Sequence, residues 1–318
     1  MNINEFLKLD KPEEYDFRRE GANALFGKVD NALERYLLYK STECMGSKYY
    51  PAMDLFIRED KRIFGLKDWE HDKFDCDKAA LTREIYAKLW KNVKFPWKNP
   101  FIYGETMTSI QAMLNMLVEE DESDFEREYR ETYWGKSVSA IHCLYLYYTN
   151  SHFFDRLNSK CPSIQTFASS MHTIGNFLPV PPGFNVARSK YDYWDLTLVK
   201  IREWYFEKNP NEKNAILSVL LEKAGRDKEN VINKCERWLS LCGKGKDGME
   251  GWKNFIFTNY MHDFVAGEEA MPIMFYENHS WSEPIPTRED DVNKIFDKCS
   301  ELIYKRSQRM VDELRAKQ

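Results

Sequence analysis

Apolar residues return at three- and four-residue steps over most of this chain, the period of an amphipathic helix rather than the alternation of a strand. Between Gly21 and Tyr39 the stripe is Ala22, Leu25, Phe26, Val29, Leu33, Tyr36 and Leu37. A second stripe, Leu81, Ile85, Leu89 and Trp90, predicts a helix that begins after Asp77, whose carboxylate is suited to cap it, and that stops before Pro96 and Pro100. Thr106–Val118 places Met107, Ile110, Met113, Leu114 and Leu117 on one face, and Ser137–Tyr148, apolar on most faces, predicts a helix inside the core. Further helices are predicted over Tyr193–Lys208, Lys213–Ala224, Glu229–Leu241 and Glu250–Tyr260, separated by Asn209-Pro210, Gly225 and the turn-rich loop Gly243–Gly251.

The last helix has a start signal in Thr287-Arg288-Glu289-Asp290, which has the form of a capping box. Its stripe of Val292, Ile295, Phe296, Cys299, Leu302, Ile303 and Met310 predicts a helix docked on the body, because each large apolar side chain left in water would cost roughly 1.5 to 3 kcal/mol. Strand signals are confined to Tyr15–Arg18, Phe177–Val180 and Ile273–Tyr276, and ordered loops are expected at Trp69–Asp77 and Gly175–Lys190. The expected fold is therefore mainly α: a compact multi-helix array with a few short strands and ordered loops. With no repeat and no composition shift, we read residues 1–318 as a single helical domain, the stretch 209–318 being the natural place for a C-terminal helical subdomain.

Composition narrows the setting. A chain of 318 residues can bury a core without disulfide or metal staples. Its seven cysteines are scattered with no Cys-x-x-Cys pair, and the first ten residues lack the basic-then-apolar order of a secretory signal, so a reducing cytoplasmic location is expected. The longest apolar run, Ile141 to Tyr148, falls far short of the roughly 20 residues that cross a bilayer, so no membrane role is expected. A net charge of -5 argues against a surface that grips nucleic acid everywhere, but charge is uneven: from Lys223 to Lys246 seven Lys or Arg stand against three Asp or Glu.

Candidate chemistry concentrates in the segment from Met171 to Lys190, where His172, Asn176, Asn185, Arg188 and Lys190 lie among Gly and Pro residues that impose particular backbone angles. His172 is suited to act as a general base or metal ligand, with Asn176 and Asn185 orienting it, and Arg188 with Lys190 to hold a phosphate. The opposing reading is that the Asn and His side chains satisfy buried loop groups. His71–Asp77 clusters carboxylates with a His but lacks the glycine and distal glutamate of a calcium loop. Gly243–Gly248 has the flavour of a phosphate loop without the preceding strand or the Ser/Thr after Lys. His262-Asp263, in an aromatic setting, is able to pair with groups elsewhere. No serine-hydrolase elbow, zinc-protease motif, dinucleotide fingerprint or kinase signature is present.

The box His172-Thr173-Ile174-Gly175-Asn176-Phe177, with Phe184-Asn185 and Arg188 after it and Phe74-Asp75, Leu89-Trp90 and Gly104–Met107 before it, resembles an uncharacterised bacterial domain-of-unknown-function family. The resemblance covers most of residues 65–205 and implies a bacterial cytosolic protein. More distantly, Gly175-Asn176-Phe177-Leu178 with Asn185 and Lys190 is similar to the HNH nuclease part of GmrSD-type restriction enzymes, although their Asp-His-Ile-type motif has no counterpart between Trp134 and Ser170. The first resemblance supplies no activity; with the box around His172, the more distant one leads us to expect action on nucleic acid or a nucleotide-like phosphate substrate, such as phosphodiester hydrolysis in defence, with a divalent metal as a compatible cofactor. The alternative expectation is a non-catalytic helical interaction module with a protein partner.

Overall fold

A computed structural model of the chain describes residues 1–17, 30–35, 79–95, 104–106, 152–190 and 193–317. Over these the protein is mainly α, with strand limited to two short pairs. The helices are α1 (Ile3–Phe6), α2 (Ala80–Leu89), α3 (Phe153–Lys160), α4 (Ile164–Ser170), α5 (Phe184–Ala187), α6 (Trp194–Phe206), α7 (Pro210–Leu220), α8 (Lys228–Cys242), α9 (Gly248–Thr258) and α10 (Glu289–Ala316). Strands β1 (Gly104–Thr106) and β2 (Phe177–Pro179) pair antiparallel with Glu105 opposite Leu178, and β3 (Val265–Ala266) pairs antiparallel with β4 (Met271–Pro272). The helices expected at Gly21–Tyr39, apart from helical residues 32–35, at Thr106–Val118 and at Ser137–Tyr148 lie outside the described residues, as do Trp69–Asp77 and the His71 cluster.

α10 organises this architecture. It packs against α4, α2, the one-turn 3-10 segments Pro12–Glu14 and Ile174–Asn176, and the turn His262–Phe264. All seven residues of its predicted stripe are buried, joined by Val311 and Leu314. Phe296 stacks on Phe167 of α4 with ring centroids 4.6 Å apart. The helix starts differently from the expected capping box. Its N-cap is Arg288, no side chain caps the first turn, and the Arg288 guanidinium instead holds Asp291 through two bonds of 2.9 Å. Three acids in that turn still face the positive end of the helix dipole.

A second layer, α6 to α9, continues the same core. α6 is buried along most of its length, α7 and α9 pack on it, and α8 packs on both of those helices. α7 begins three residues earlier than its apolar pattern suggests. Pro210 occupies the first turn, where its missing N–H costs nothing, and Asn209 caps it by accepting from the Asn211 amide at 3.0 Å. α2 is capped by no side chain, its N-cap being Ala79. Of the strand expectations, Phe177–Val180 yields β2 as far as Pro179. Ile273–Tyr276 does not become a strand: the Ile273 amide still donates to the Phe264 carbonyl beside β3 at 2.9 Å, but the Phe275 amide turns to the Asp195 carboxylate at 2.9 Å. Tyr15–Phe17 forms no ladder either; the Phe17 amide makes one bond of 2.9 Å, to the His172 carbonyl. Among the described residues no helix is long and apolar enough to cross a membrane.

Candidate functional site

The box begins where α4 ends. The chain turns through Met171–Thr173 into the 3-10 segment Ile174–Asn176 and then β2, so that its glycine lies against α10. A Cβ placed on Gly175 would stand 2.1 Å from the Ile303 carbonyl oxygen and 2.7 Å from the Ser307 nitrogen, so only glycine allows this approach. The Gly175 amide donates to Ser307 Oγ at 2.8 Å. Arg306 completes the joint: Nη1 donates to the carbonyls of Gly175 at 2.5 Å and Phe177 at 2.8 Å, and Nε donates to the Asn259 carbonyl at 3.0 Å. One buried guanidinium thus binds three chain segments. Burial pulls it down to about 10, so it is still charged at neutral pH.

The five residues singled out from the sequence fall into two groups. His172 and Asn176 belong to the α10 joint, and both are buried. The His172 ring meets Phe177 edge-on at 6.2 Å, and the Asn176 amide donates to the Met171 carbonyl at 2.7 Å. Asn185 lies on α5 and Arg188 at its end, where Arg188 packs against α6. The Arg188 guanidinium, fully buried, lies 4.6 Å from the Trp194 ring, donates to Asn185 Oδ1 at 3.2 Å and reaches Thr197 Oγ1 at 3.4 Å. Among the described residues no hydrogen bond joins the first pair to the second. Lys190 is half-buried, its amine 5.7 Å from the Trp281 ring.

Two constellations were not anticipated. In the first, Asp195 on α6 accepts from the amides of Leu196 and Phe275, each at 2.9 Å, and lies 2.5 Å from His279 Nδ1. His279 Nε2 faces the Pro284 carbonyl at 3.1 Å, and both side chains are completely enclosed. An acid and an imidazole so placed pin the 273–284 loop to α6, and no solvent reaches them.

The second is a cavity of about 400 Å3 where the C-terminal ends of α2, α8, α9 and α10 meet. Leu89, Val93 and Leu241 supply apolar wall; Phe257, Tyr260 and His262 supply rings; Lys244, Arg309 and Lys317 supply cations opposite Glu313. His262 stacks edge-on against Phe257 at 5.6 Å, and Lys244 Nζ stands 5.6 Å from the Phe257 ring. Burial, aided by Arg309 and opposed by Asp263, holds the His262 imidazole below its ordinary value. The anticipated partner for Asp263 is Arg309, which grips it with bonds of 3.0 and 3.1 Å.

The Gly243–Gly248 loop does not cradle an anion with its backbone: the amides of Gly243, Lys244 and Gly245 donate to carbonyls in the last turn of α8, and that of Lys246 to the Gly243 carbonyl. Among the described residues no three His, Cys, Asp or Glu side chains gather to hold a metal ion. One sequence signal for the α10 joint did exist, since Arg306 interrupts the apolar stripe between Ile303 and Met310. The cavity had none, being assembled from four elements. No family model matches this chain, and no curated protein or solved structure matches it.

Proposed function

We propose that this protein is a non-catalytic helical binding module, in which the His172 box fastens the loop to the C-terminal helix and performs no chemistry. The observation that carries this reading is the burial of His172, Asn176 and Arg188 together, with the amide of Asn176 and the guanidinium of Arg188 turned to the protein's own oxygens. A general base or phosphate ligand has to meet its substrate, and a group enclosed in the core does not. A phosphate-bearing ligand, which the sequence pattern suggests, is better served by the cations exposed around the cavity at the end of α10.

The test compares His172→Ala and Arg188→Ala with the parent chain, reading melting temperature and, with magnesium, manganese and zinc, turnover of single- and double-stranded DNA and RNA. The expected outcome is no turnover by the parent and lower stability in both variants: Arg188→Ala strips the Asn185 oxygen of its buried donor at roughly 1 to 3 kcal/mol, and His172→Ala empties a buried ring site beside Phe177. Metal-dependent cleavage that vanishes in His172→Ala while the melting temperature holds would instead establish the hydrolase reading.

A further inference from the structure

The geometry points to the cavity at the joined ends of α2, α8, α9 and α10 as a site for a small anion carrying a flat ring, its carboxylate or phosphate on Lys244 and its ring against Phe257. This deepens the binding reading above and rests on it in one respect, that the ligand is held and not cleaved.

Helix C-termini ordinarily attract cations, because their last carbonyls are unsatisfied. Here those carbonyls are already closed. Leu89 O accepts from the Tyr260 hydroxyl at 3.0 Å, Cys242 O from the Thr258 hydroxyl at 3.0 Å, Leu241 O from the Lys244 amide at 3.1 Å, and Phe257 O from the Tyr260 amide at 3.2 Å. What the cavity presents is therefore side-chain charge. Arg309 is matched by Asp263 and Lys317 by Glu313 at 2.7 Å, which leaves the charge of Lys244 uncompensated. Lys244 has no carboxylate partner among the described residues. This surplus positive charge calls for an anionic group on the ligand.

The walls say what that charge is attached to. Phe257 is 63% exposed although it lies on a helix whose other rings are enclosed, so a large apolar face stands in water beside the free ammonium. His262 continues that wall, its ring edge-on to Phe257 at 5.6 Å. A cavity of about 400 Å3 lies within the range of small-molecule sites. A bare phosphate would leave the rings unused, and an uncharged ring would leave Lys244 unused.

Calorimetric titration of the full chain with adenosine monophosphate and with indole-3-acetate tests the two anionic heads, while adenosine and inorganic phosphate test each half alone. We expect at least one ring-bearing anion to bind at least ~10-fold tighter than either half, and Lys244→Gln and Phe257→Leu each to weaken it by ~10-fold. Both residues are exposed, so neither change should unfold the protein; unchanged circular dichroism verifies this. Adenosine or phosphate binding as tightly as the whole ligand, or affinity unaltered in Lys244→Gln, would overturn the assignment. Failure of all four probes at millimolar concentration would overturn it too, while leaving the turnover and melting tests of the His172 box to stand on their own.

Discussion

Replacing Arg306 with Met probes the joint on which the box depends. The change removes a buried cation that serves three backbone carbonyls and leaves a side chain of similar length in the apolar stripe. Each orphaned carbonyl costs about 1 kcal/mol or more, whereas release of a guanidinium that no carboxylate touches among the described residues returns part of its desolvation penalty. The carbonyls win, because three backbone oxygens lose their donor at once, and we expect a net loss of about 3 kcal/mol. Unfolding entropy is roughly 2.1 cal/mol/K per residue, or about 0.67 kcal/mol/K over 318 residues, so the melting temperature should fall by about 4 to 5 °C. Arg309→Met, one turn further along the same helix, is the control. Its pair with Asp263 is partly solvated, and such pairs contribute at most about 1 kcal/mol. Scanning calorimetry with urea titration of both variants reads the difference. An Arg306→Met protein that melts with Arg309→Met would show that the three carbonyls are not held by this side chain in any way that matters.

Gly175→Ala should destabilise by roughly 1 to 3 kcal/mol, since its methyl group would meet the α10 backbone, whereas a Gly→Ala change with room to spare would stabilise by about 0.4 to 1 kcal/mol; a raised melting temperature would contradict the close approach. Cys161 and Cys242 are pushed up to about 12 by burial, and Cys235 and Cys299 are buried as well, so native protein at pH 8 should leave all four unmodified by iodoacetamide and urea should expose them. Peptide mapping that finds rapid native labelling at any of the four would refute this. His262, held below its ordinary value by burial and Arg309 against the opposing pull of Asp263, favours the neutral ring in the folded state. Its contribution to stability is therefore intact above about 6.5 and lost as pH falls below that value, so melting curves between pH 7.5 and 5 should decline less steeply in His262→Gln; identical slopes would count against it.

How much was legible depended on whether the signal was local. α6, α8 and α9 were foreseeable to within two residues at most ends because a repeating apolar stripe meets a Gly, Asn or Pro stop nearby. The docked C-terminal helix was legible for the same reason, from Val292 to Met310. Its first turn was not: Thr287 and Asp290 have the spacing of a capping box, but Arg288 can reach Asp291, and a two-bond ion pair displaced the cap. Ile273–Tyr276 has the composition of a strand, yet Asp195, some 80 positions away, takes the Phe275 amide. The polar residues of Met171–Lys190 do stand out in sequence. Whether such groups face solvent or each other depends on the helices that close over them, and α10 and α6 supply that closure from distant parts of the chain.

The guanidinium of Arg306 is separated along the chain from the Gly175 and Phe177 carbonyls it serves by 131 and 129 residues. At about 5 to 20 residues per second, a ribosome makes those carbonyls roughly 7 to 26 seconds before the arginine that satisfies them. For that interval the box is hydrated, its glycine turn has no helix to lie against, and the apolar residues around it stay open to the cell. The box therefore closes late, when α10 arrives.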